Sequence, residues 1–129
     1  MLIDSPHNPI THDIIGAAIE VHRVLGPGLL ESAYLPCLKH ELGIRHMTFA
    51  TEVAIHLSYK GVELRQGYRI DLIVDKLVIV EVKSVEVVLP VHKAQVMTYL
   101  KLTSCPIGLL INFNEARLID GVHRIFNPS

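Results

Sequence analysis

Residues 68–84, YRIDLIVDKLVIVEVKS, place two apolar segments on either side of a short turn, and this pattern constrains the fold most strongly. Branched apolar residues dominate both segments, as in the two strands of a β-hairpin. Four charged residues interrupt the apolar positions at fixed offsets, namely Arg69, Asp71, Glu81 and Lys83. Two acids and two bases within a strand pair that otherwise resembles core require a physical reason.

The register of this hairpin decides where the charges lie. With a three-residue loop at residues 75–77, Asp71 lies opposite Glu81 and the two bases lie opposite each other, because opposed residues have a constant sum of numbers. All four charged side chains then share one face of the sheet. The apolar side chains fill the other face: Ile70, Leu72, Val74, Val78, Val80 and Val82. A two-residue turn at residues 75–76 would instead send the two acids to opposite faces.

Acid opposite acid is unfavourable in a sheet, because like charges directly across from each other repel. Two hypotheses therefore remain open from the residues alone. In the first, the acids are separate solvated side chains. In the second, the two carboxylates converge and a divalent cation offsets their repulsion. Carboxylate oxygens suit Mg²⁺ or Mn²⁺, and Lys83 could then orient a water molecule or stabilise a charged transition state.

The chain has 129 residues, of which 50% are hydrophobic, and this length predicts one domain with one core. We assign residues 1–10, which contain two prolines, to a loosely ordered lead-in and residues 11–129 to the domain. The apolar runs are too short to span a bilayer, and no signal-peptide pattern is visible, so we expect a cytoplasmic protein without membrane attachment. We expect Cys37 and Cys105 to be reduced and buried.

The formal net charge is −1, whereas a strongly basic balance would have indicated nucleic-acid binding. Any phosphate-binding surface must therefore be local, or a metal ion must complete it. The eight histidines show no HxxxH or HxH spacing, so we do not expect a zinc site.

The first half of the chain has helical periodicity. Thr11 is a candidate cap for a helix over residues 11–25, which ends at a Gly-Pro-Gly sequence. A second helix over residues 29–42 contains Pro36, and we expect proline to kink this helix or to delay its start.

From residue 49 the pattern alternates as in β-strands, with a hairpin turn at residues 60–61. Pro90 then marks the start of a helix that continues over residues 91–102. A buried strand at residues 107–113 and a last small hairpin around residues 120–121 complete the chain. This order of elements predicts an α+β domain with a mixed central sheet and helices on its faces.

Several motifs now point to one family. Asp71 followed by Glu81-Val82-Lys83 is similar to the D…(D/E)-x-K signature of the PD-(D/E)XK nuclease superfamily. Residues 28–34, GLLESAY, match the GxxExxY motif that names a family of small proteins within it. Further blocks resemble that family in the same order: AAIEVHRVLGPGLLESAY, GYRIDLIV, VIVEVKSVE, VHKAQVMTYLKL and GLLINFN. The resemblance extends over nearly the whole chain and implies a restriction-endonuclease-like α/β/α core.

The resemblance also implies roles for the residues of the signature. Asp71 and Glu81 would bind Mg²⁺ or Mn²⁺, the backbone carbonyl of Val82 would add a ligand, and Lys83 would be the catalytic lysine. The implied activity is metal-dependent hydrolysis of phosphodiester bonds in nucleic acid. The sequence leaves DNA and RNA open as substrates, and we expect DNA in preference to RNA.

Three helical residues join the implied site. A glutamate from an N-terminal helix would complete it, with Glu31 in the GxxExxY motif as the first choice and Glu20 as the second. Gln95 matches a glutamine that related nucleases place near the site from the following helix. Tyr34 would pack beside Glu31, and Pro36, where family members usually carry a helix former, would shift this glutamate relative to the sheet.

A second function stays open beside the nuclease. A non-catalytic module with the same fold would bind nucleic acid or a protein partner, and the near-neutral charge favours this alternative. A homodimer would serve either function. It would bring two sites to one duplex and cover apolar surface, which the mean hydropathy of +0.37 indicates is plentiful.

Overall fold

The computed structural model describes residues 8–64 and 67–128. The helices and strands in this part of the chain are α1 (Asn8–Leu25), α2 (Glu31–Ile44), β1 (Phe49–Ala54), β2 (Leu57–Tyr59), β3 (Val62–Leu64), β4 (Arg69–Val74), β5 (Val78–Lys83), α3 (Pro90–Thr103), β6 (Ile107–Asn112) and β7 (Val122–Phe126). A short 3-10 helix, Leu118–Gly121, precedes β7. None of the helices in the described ranges is long and apolar enough to cross a membrane.

The central sheet has five strands in the order β1-β4-β5-β6-β7. Strands β5 and β6 are parallel, because α3 carries the chain back across the sheet between them, and the other neighbouring pairs are antiparallel. Strands β2 and β3 form a separate hairpin with its turn at residues 60–61, as predicted. The sheet is therefore mixed, as the order of elements indicated.

Helices cover both faces of the sheet and give the protein two apolar cores. Successive side chains of β5 point to opposite faces of the sheet and belong to different cores. The core under α1 and α2 contains Val78, Val80 and Val82, whereas the core under α3 contains Ile79. Strand β6 is buried over its whole length, because it lies inside the sheet with helices on both sides.

Helix α1 begins earlier than the sequence indicated. It starts at Asn8, so residues 8–10 belong to the helix rather than to a loose lead-in, and residues 1–7 lie outside the described part of the chain. Thr11 is not the cap, since its hydroxyl lies within the helix and donates a 2.9 Å hydrogen bond to the carbonyl of Asn8.

Helix α2 contains Pro36, as expected, but proline does not end it. The helix starts at Glu31, two residues later than predicted, and continues to Ile44. The N–H that Pro36 lacks would have bonded to the carbonyl of Ser32, which lies in the exposed first turn. Water can solvate that carbonyl, so the helix tolerates proline there.

The predicted hairpin around residues 120–121 is wrong. Leu118–Gly121 forms the 3-10 helix, and β7 pairs with β6 instead of with residues 117–119. Leu118 is buried in the core under α1 and α2. Gly121 packs so closely against the backbone of Asn112 that any side chain there would clash. These two contacts draw the segment inward and prevent it from lying flat as an extra strand.

The two cysteines are free, but they differ in exposure. Cys105 is buried, as predicted, whereas Cys37 is exposed, and that prediction is wrong. The buried stripe of α2 passes through Tyr34, Leu38 and Leu42 at a spacing of four residues. Cys37 lies one residue away from this stripe and therefore points away from the core.

Candidate metal-binding site between strands β4 and β5

The turn between β4 and β5 has the three-residue loop that places Asp71 opposite Glu81. Val74 pairs with Val78 across the loop, and Leu72 pairs with Val80. This register has the constant sum of the three-residue loop, so the structure decides between the two turns that the sequence left open.

The ladder between β4 and β5 ends at the Leu72–Val80 pair, and the sheet opens beyond it. From there β4 continues to pair with β1, while β5 continues to pair with β6 through Lys83. The predicted facing of the two acids and of the two bases as ordinary ladder pairs is therefore wrong. The acids lie instead where the two strands separate.

Asp71 and Glu81, which we call the acid pair, hold the opening together with their own side chains. The backbone N–H of Asp71 donates a 2.7 Å hydrogen bond to Glu81 Oε2. The backbone N–H of Val82 donates a 2.9 Å hydrogen bond to Asp71 Oδ2. Each carboxylate thus takes the place of a backbone carbonyl of the opposite strand. Asp71 Oδ1 and Glu81 Oε1 accept no hydrogen bond from the described residues.

Burial and mutual repulsion perturb the protonation of the acid pair. Glu81 is 5% exposed. Burial, together with the neighbouring charge of Asp71, raises the pKa of Glu81 to about 8. Burial also raises the pKa of Asp71, although the Val82 N–H and the charge of Lys83 oppose this shift. Without a cation, the acid pair therefore retains a proton at neutral pH, as expected for two carboxyl groups in one buried site.

Lys83 lies two residues after Glu81 on the same strand and is half-buried. By alternation its side chain shares the face of Glu81 and Ile79, which is the face toward α3. The charge of Lys83 lowers the pKa of both members of the acid pair, so the ammonium group lies within electrostatic range of each.

Strand β4 changes face at Asp71. Ile70 packs in the core under α3, not beside Leu72 and Val74 under α1 and α2, so that part of the predicted face assignment is wrong. On the neighbouring strand, opposite Asp71 in the register, Glu52 adopts a φ of 51°, in the left-handed region that residues with a side chain rarely adopt. This kink interrupts regular alternation next to Asp71. Glu52 also contributes charge there, since it raises the pKa of Asp71.

Glu31 approaches the acid pair from the start of α2. Its Oε2 accepts a 3.3 Å hydrogen bond from the backbone N–H of Ser84, directly after Lys83. The charge of Glu31 raises the pKa of both Asp71 and Glu81. The helix start is also tied to β5 by the hydroxyl of Ser84, which donates to the carbonyl of Leu29.

Tyr34 explains the spacing of the GxxExxY motif. Its buried hydroxyl donates a 2.6 Å hydrogen bond to the carbonyl of Gly26 and accepts one of 3.1 Å from the N–H of Leu29. Its ring stacks on Phe113 with centroids 4.6 Å apart. Gly28 has a φ of 97°, which favours glycine, in the turn that Tyr34 closes. Tyr34 therefore positions the backbone from which Glu31 extends.

Glu20, the second candidate for the helix glutamate, lies elsewhere on α1. It forms a two-point ion pair with Arg23, with N–O distances of 2.9 and 2.8 Å, and these contacts are exposed. Glu20 is not among the groups that shift the pKa values of the acid pair, whereas Glu31 is. Of the two glutamates, the structure brings Glu31 to the opening in the sheet.

Gln95 lies on α3, one turn before Tyr99, and both residues line a cavity on the α3 side of the sheet. Tyr99 connects this region to the acid pair. Burial raises the pKa of its hydroxyl, and the charges of Glu81 and Asp71 raise it further. His92, one turn before Gln95, accepts a 2.9 Å hydrogen bond from the Leu89 N–H through Nδ1 and so caps the helix.

Asn112 is a contributor that sequence reasoning missed. It is fully buried at the end of β6, where Oδ1 accepts hydrogen bonds of 3.0 and 3.2 Å from the N–H groups of Val85 and Asn114. Its Nδ2 donates a 2.9 Å bond to the carbonyl of Val85. These bonds hold the chain just after Lys83. A signal was available, because a single asparagine ends the apolar run GLLIN.

The acid pair is chemically suited to a hard divalent cation, since it offers two carboxylates that each have one oxygen not engaged by the described residues. No group of three His, Cys, Asp or Glu side chains in the described ranges is arranged to hold a metal ion. Within the described part of the chain, the carboxylates near the opening are the acid pair and, farther out, Glu31 and Glu52. Val82 takes part through its N–H, and its role as a carbonyl ligand stays a prediction.

A mixed sheet between helical layers, with an aspartate on one strand and Glu-x-Lys on the next where the strands separate, is consistent with a restriction-endonuclease-like fold. The family model of the PD-(D/E)XK nuclease superfamily matches residues 8–125. The chain therefore belongs to the PD-(D/E)XK nuclease superfamily, and the predicted fold class is confirmed. Neither the curated proteins nor the solved structures contain a match to the chain.

Proposed function

We propose that this protein is a metal-dependent nuclease that hydrolyses phosphodiester bonds of nucleic acid. The observation that supports the proposal is the acid pair, in which Asp71 and Glu81 meet in a buried opening of the sheet and exchange hydrogen bonds with the opposite strand. Burying two carboxylates together opposes folding unless a retained proton or a bound cation offsets their repulsion. The arrangement is therefore better explained by ligand binding than by stability.

In this proposal Asp71 and Glu81 hold Mg²⁺ or Mn²⁺, and the backbone carbonyl of Val82 completes the protein ligands. The cation, when bound, supplies Lewis acidity and neutralises charge on the phosphate. Glu81 must release its proton for binding, because a protonated carboxyl group is a poor metal ligand. Its raised pKa of about 8 thus belongs to the metal-free protein.

The other residues act on the water and the phosphate. Lys83, on the face of Glu81, donates hydrogen bonds to the attacking water or to a phosphate oxygen and stabilises the negative charge that develops there. Glu31, bonded to the Ser84 N–H, orients water at the outer side of the site. Gln95 contributes from α3, where its amide can donate and accept hydrogen bonds to the bound nucleic acid rather than to the attacking water.

We also place the chain in the GxxExxY family of small proteins. The support is structural, because each residue of the motif has a distinct task near the acid pair. Gly28 makes the turn with its positive φ, Glu31 bonds to the segment after Lys83, and Tyr34 ties the turn to the core.

We propose DNA as the substrate in preference to RNA.

We also propose that the protein acts as a homodimer. Three exposed apolar side chains in residues 87–91, directly after the β5 end of the site, support contact with a second copy of the chain. Val87 is 63% exposed, Leu89 48% and Val91 65%. Sedimentation that shows a monomer at micromolar concentration would count against the dimer.

Cleavage assays test the proposal directly. Wild-type protein is incubated with plasmid DNA, single-stranded DNA and RNA, with Mg²⁺ or Mn²⁺ and with a chelator. Metal-dependent cleavage should fall at least about 100-fold in Glu81→Gln and Lys83→Met, because each removes a group that acts on the charged transition state. Glu63→Gln and Lys101→Met, at exposed positions on β3 and α3, are the matched controls.

Cleavage that survives both site variants would refute the proposal. If wild type cleaves none of the substrates but binds nucleic acid with an affinity that falls steeply as salt rises, the non-catalytic binding module becomes the better description.

A further inference from the structure

A cavity of about 230 Å³ lies on the α3 side of the sheet, separate from the contacts that build the acid pair. Ile55 and Leu57 form its apolar wall, and Tyr68 stands at its edge with 44% of its surface exposed. Gln95 and Thr98 supply polar groups from α3. None of the described residues that line it is charged.

Tyr99 places this cavity beside the acid pair. It lines the cavity and packs in the same core as Ile79, the residue that precedes Glu81 on the α3 face of β5. The charges of Glu81 and Asp71 act on the Tyr99 hydroxyl, and so does the neighbouring Tyr68. A ligand in the cavity therefore lies on the same side of the sheet as the Glu81 side chain, with Tyr99 within electrostatic range of both acids.

The lining selects a flat, uncharged ligand with hydrogen-bonding edges. An exposed tyrosine ring offers a face for stacking, and the Gln95 amide offers one donor group and one acceptor for a base edge. The absence of charge among the described lining residues disfavours phosphate in the cavity itself. A nucleobase has this combination of planarity, neutrality and polar edges.

We propose that this cavity receives an unpaired nucleobase next to the phosphate that is cleaved, with Tyr68 as the stacking partner and Gln95 on the base edge. Since a base within a duplex cannot reach such a cavity without leaving the stack, the preferred substrate is single-stranded or frayed nucleic acid rather than intact duplex. This inference rests on the proposed nuclease function.

Binding measurements test the inference without relying on cleavage. The Lys83→Met background keeps the acid pair, so oligonucleotides can be titrated with Mg²⁺ present. The probes are a short single strand that carries 2-aminopurine and a duplex of the same sequence, closed at both ends by linkers without bases so that it has no unpaired base. Tyr68→Ala should weaken binding of the single strand about tenfold, as for loss of one stacking partner, and should leave binding of the closed duplex unchanged.

Two controls separate stacking from a general defect. Tyr59→Ala removes a tyrosine that is 62% exposed on the β2–β3 hairpin, outside the cavity, and should leave affinity unchanged. Tyr68→Phe keeps the ring and should bind as wild type does. A further control changes the oligonucleotide, by replacing the 2-aminopurine with an abasic nucleotide. The parent protein, which retains Tyr68, should bind this strand weakly, with the affinity that Tyr68→Ala has for the intact strand.

Equal affinity of Tyr68→Ala and its parent for the single strand would overturn the inference, and so would equal losses on both probes. The experiments distinguish a failure of the base-cavity inference from a failure of the nuclease proposal. Metal-dependent cleavage with no effect of Tyr68→Ala refutes the base cavity alone. Binding of the unpaired base that depends on Tyr68, in a protein that cleaves nothing, refutes the nuclease proposal alone.

Discussion

The backbone N–H of Asp71 donates a 2.7 Å hydrogen bond to the carboxylate of Glu81, in a position where an antiparallel partner would ordinarily supply a carbonyl. The carboxylate of Asp71 accepts the N–H of Val82 in return. Because side chains take over the backbone donors, β4 and β5 can separate without leaving those N–H groups unpaired. The two carboxylates thus allow β4 and β5 to separate, and they lie in the gap between the strands.

The stability of the metal-free protein should fall as pH rises toward the alkaline side. The pKa of Glu81 is about 8 in the folded protein, against an ordinary value of 4.5, so the folded state binds the proton more tightly. The stabilisation is complete below about pH 4.5 and is lost as pH rises through about 8. Burial raises the pKa of Asp71 too, which adds in the same direction.

Glu81→Gln should remove most of this pH dependence, since the amide keeps an acceptor for the Asp71 N–H but does not ionise. Relative to wild type, the variant should gain stability on the order of a few kcal/mol between about pH 5 and about pH 8.5. Urea unfolding in chelator, with exposed Glu63→Gln as the control, measures the difference. A constant difference at all pH values would contradict the assigned pKa.

Metal binding should require both members of the acid pair. Calorimetry with Mn²⁺ and Mg²⁺ should detect binding to wild type and none to the double variant Asp71→Asn with Glu81→Gln. A bound metal also raises stability, by about 2.7 kcal/mol at a concentration of 100 times Kd. Binding that persists in the double variant would mean that the two acids are not the ligands.

The two helix glutamates should differ in the same experiment. Glu31→Gln should weaken metal binding without abolishing it, because Glu31 acts on the acid pair by its charge and holds the Ser84 N–H. Glu20→Gln breaks only an exposed pair with Arg23 and should leave binding unchanged. A loss of affinity in Glu20→Gln as large as that in Glu31→Gln would contradict the placement of Glu31 at the site.

Tyr34→Phe should destabilise the protein by about 1–2 kcal/mol, because the change leaves the partly buried carbonyl of Gly26 and the N–H of Leu29 without the Tyr34 hydroxyl. Tyr59→Phe on the exposed hairpin is the matched control and should change stability little. Denaturant unfolding of both variants measures the difference. Equal stability of the two would show that the tyrosine hydroxyl does not hold the turn before α2.

Asn112→Ala should cost about 2–4 kcal/mol, since it removes bonds to both the N–H and the carbonyl of Val85 and leaves a gap in the buried end of β6. Amide exchange of residues 84–85 should accelerate as well. The control is Asn114→Ala, which loses only a 3.4 Å bond to the same carbonyl. If both variants lose stability to the same extent, Asn112 has no special role in holding the segment after Lys83.

Several predictions that depend on neighbours in sequence are confirmed. They are the helix that starts at Pro90 and the turn at residues 60–61, and the three-residue loop between β4 and β5 was one of the two turns that the sequence allowed. Each depends on local preferences, namely the fixed φ of proline, turn-forming residues and the period of strands. The GxxExxY motif was also visible, but its reason was not, since Tyr34 bonds to Gly26 and stacks on Phe113, far away in sequence.

Features that depend on which strands remain paired could not be predicted from the sequence. Periodicity placed Ile70 beside Leu72 and extended the hairpin ladder past Asp71, whereas β4 follows β1 at this point and kinks next to Glu52. The segment before β7 was likewise assigned to a hairpin, although the packing of Gly121 on Asn112 bends it into a 3-10 helix. In each case a contact between distant segments overrides the local pattern.

The order of residues by itself left two registers open for Asp71 and Glu81, but it determined the α+β class and the position of Lys83 two residues farther along the strand. Local geometry and alternation suffice for these. Tertiary structure alone decided that the two acids lie within an opening of the sheet, that Glu31 rather than Glu20 reaches it, and that Asn112 secures its edge. The reason is physical: burial, repulsion and exchanged hydrogen bonds arise only when separate strands and helices meet.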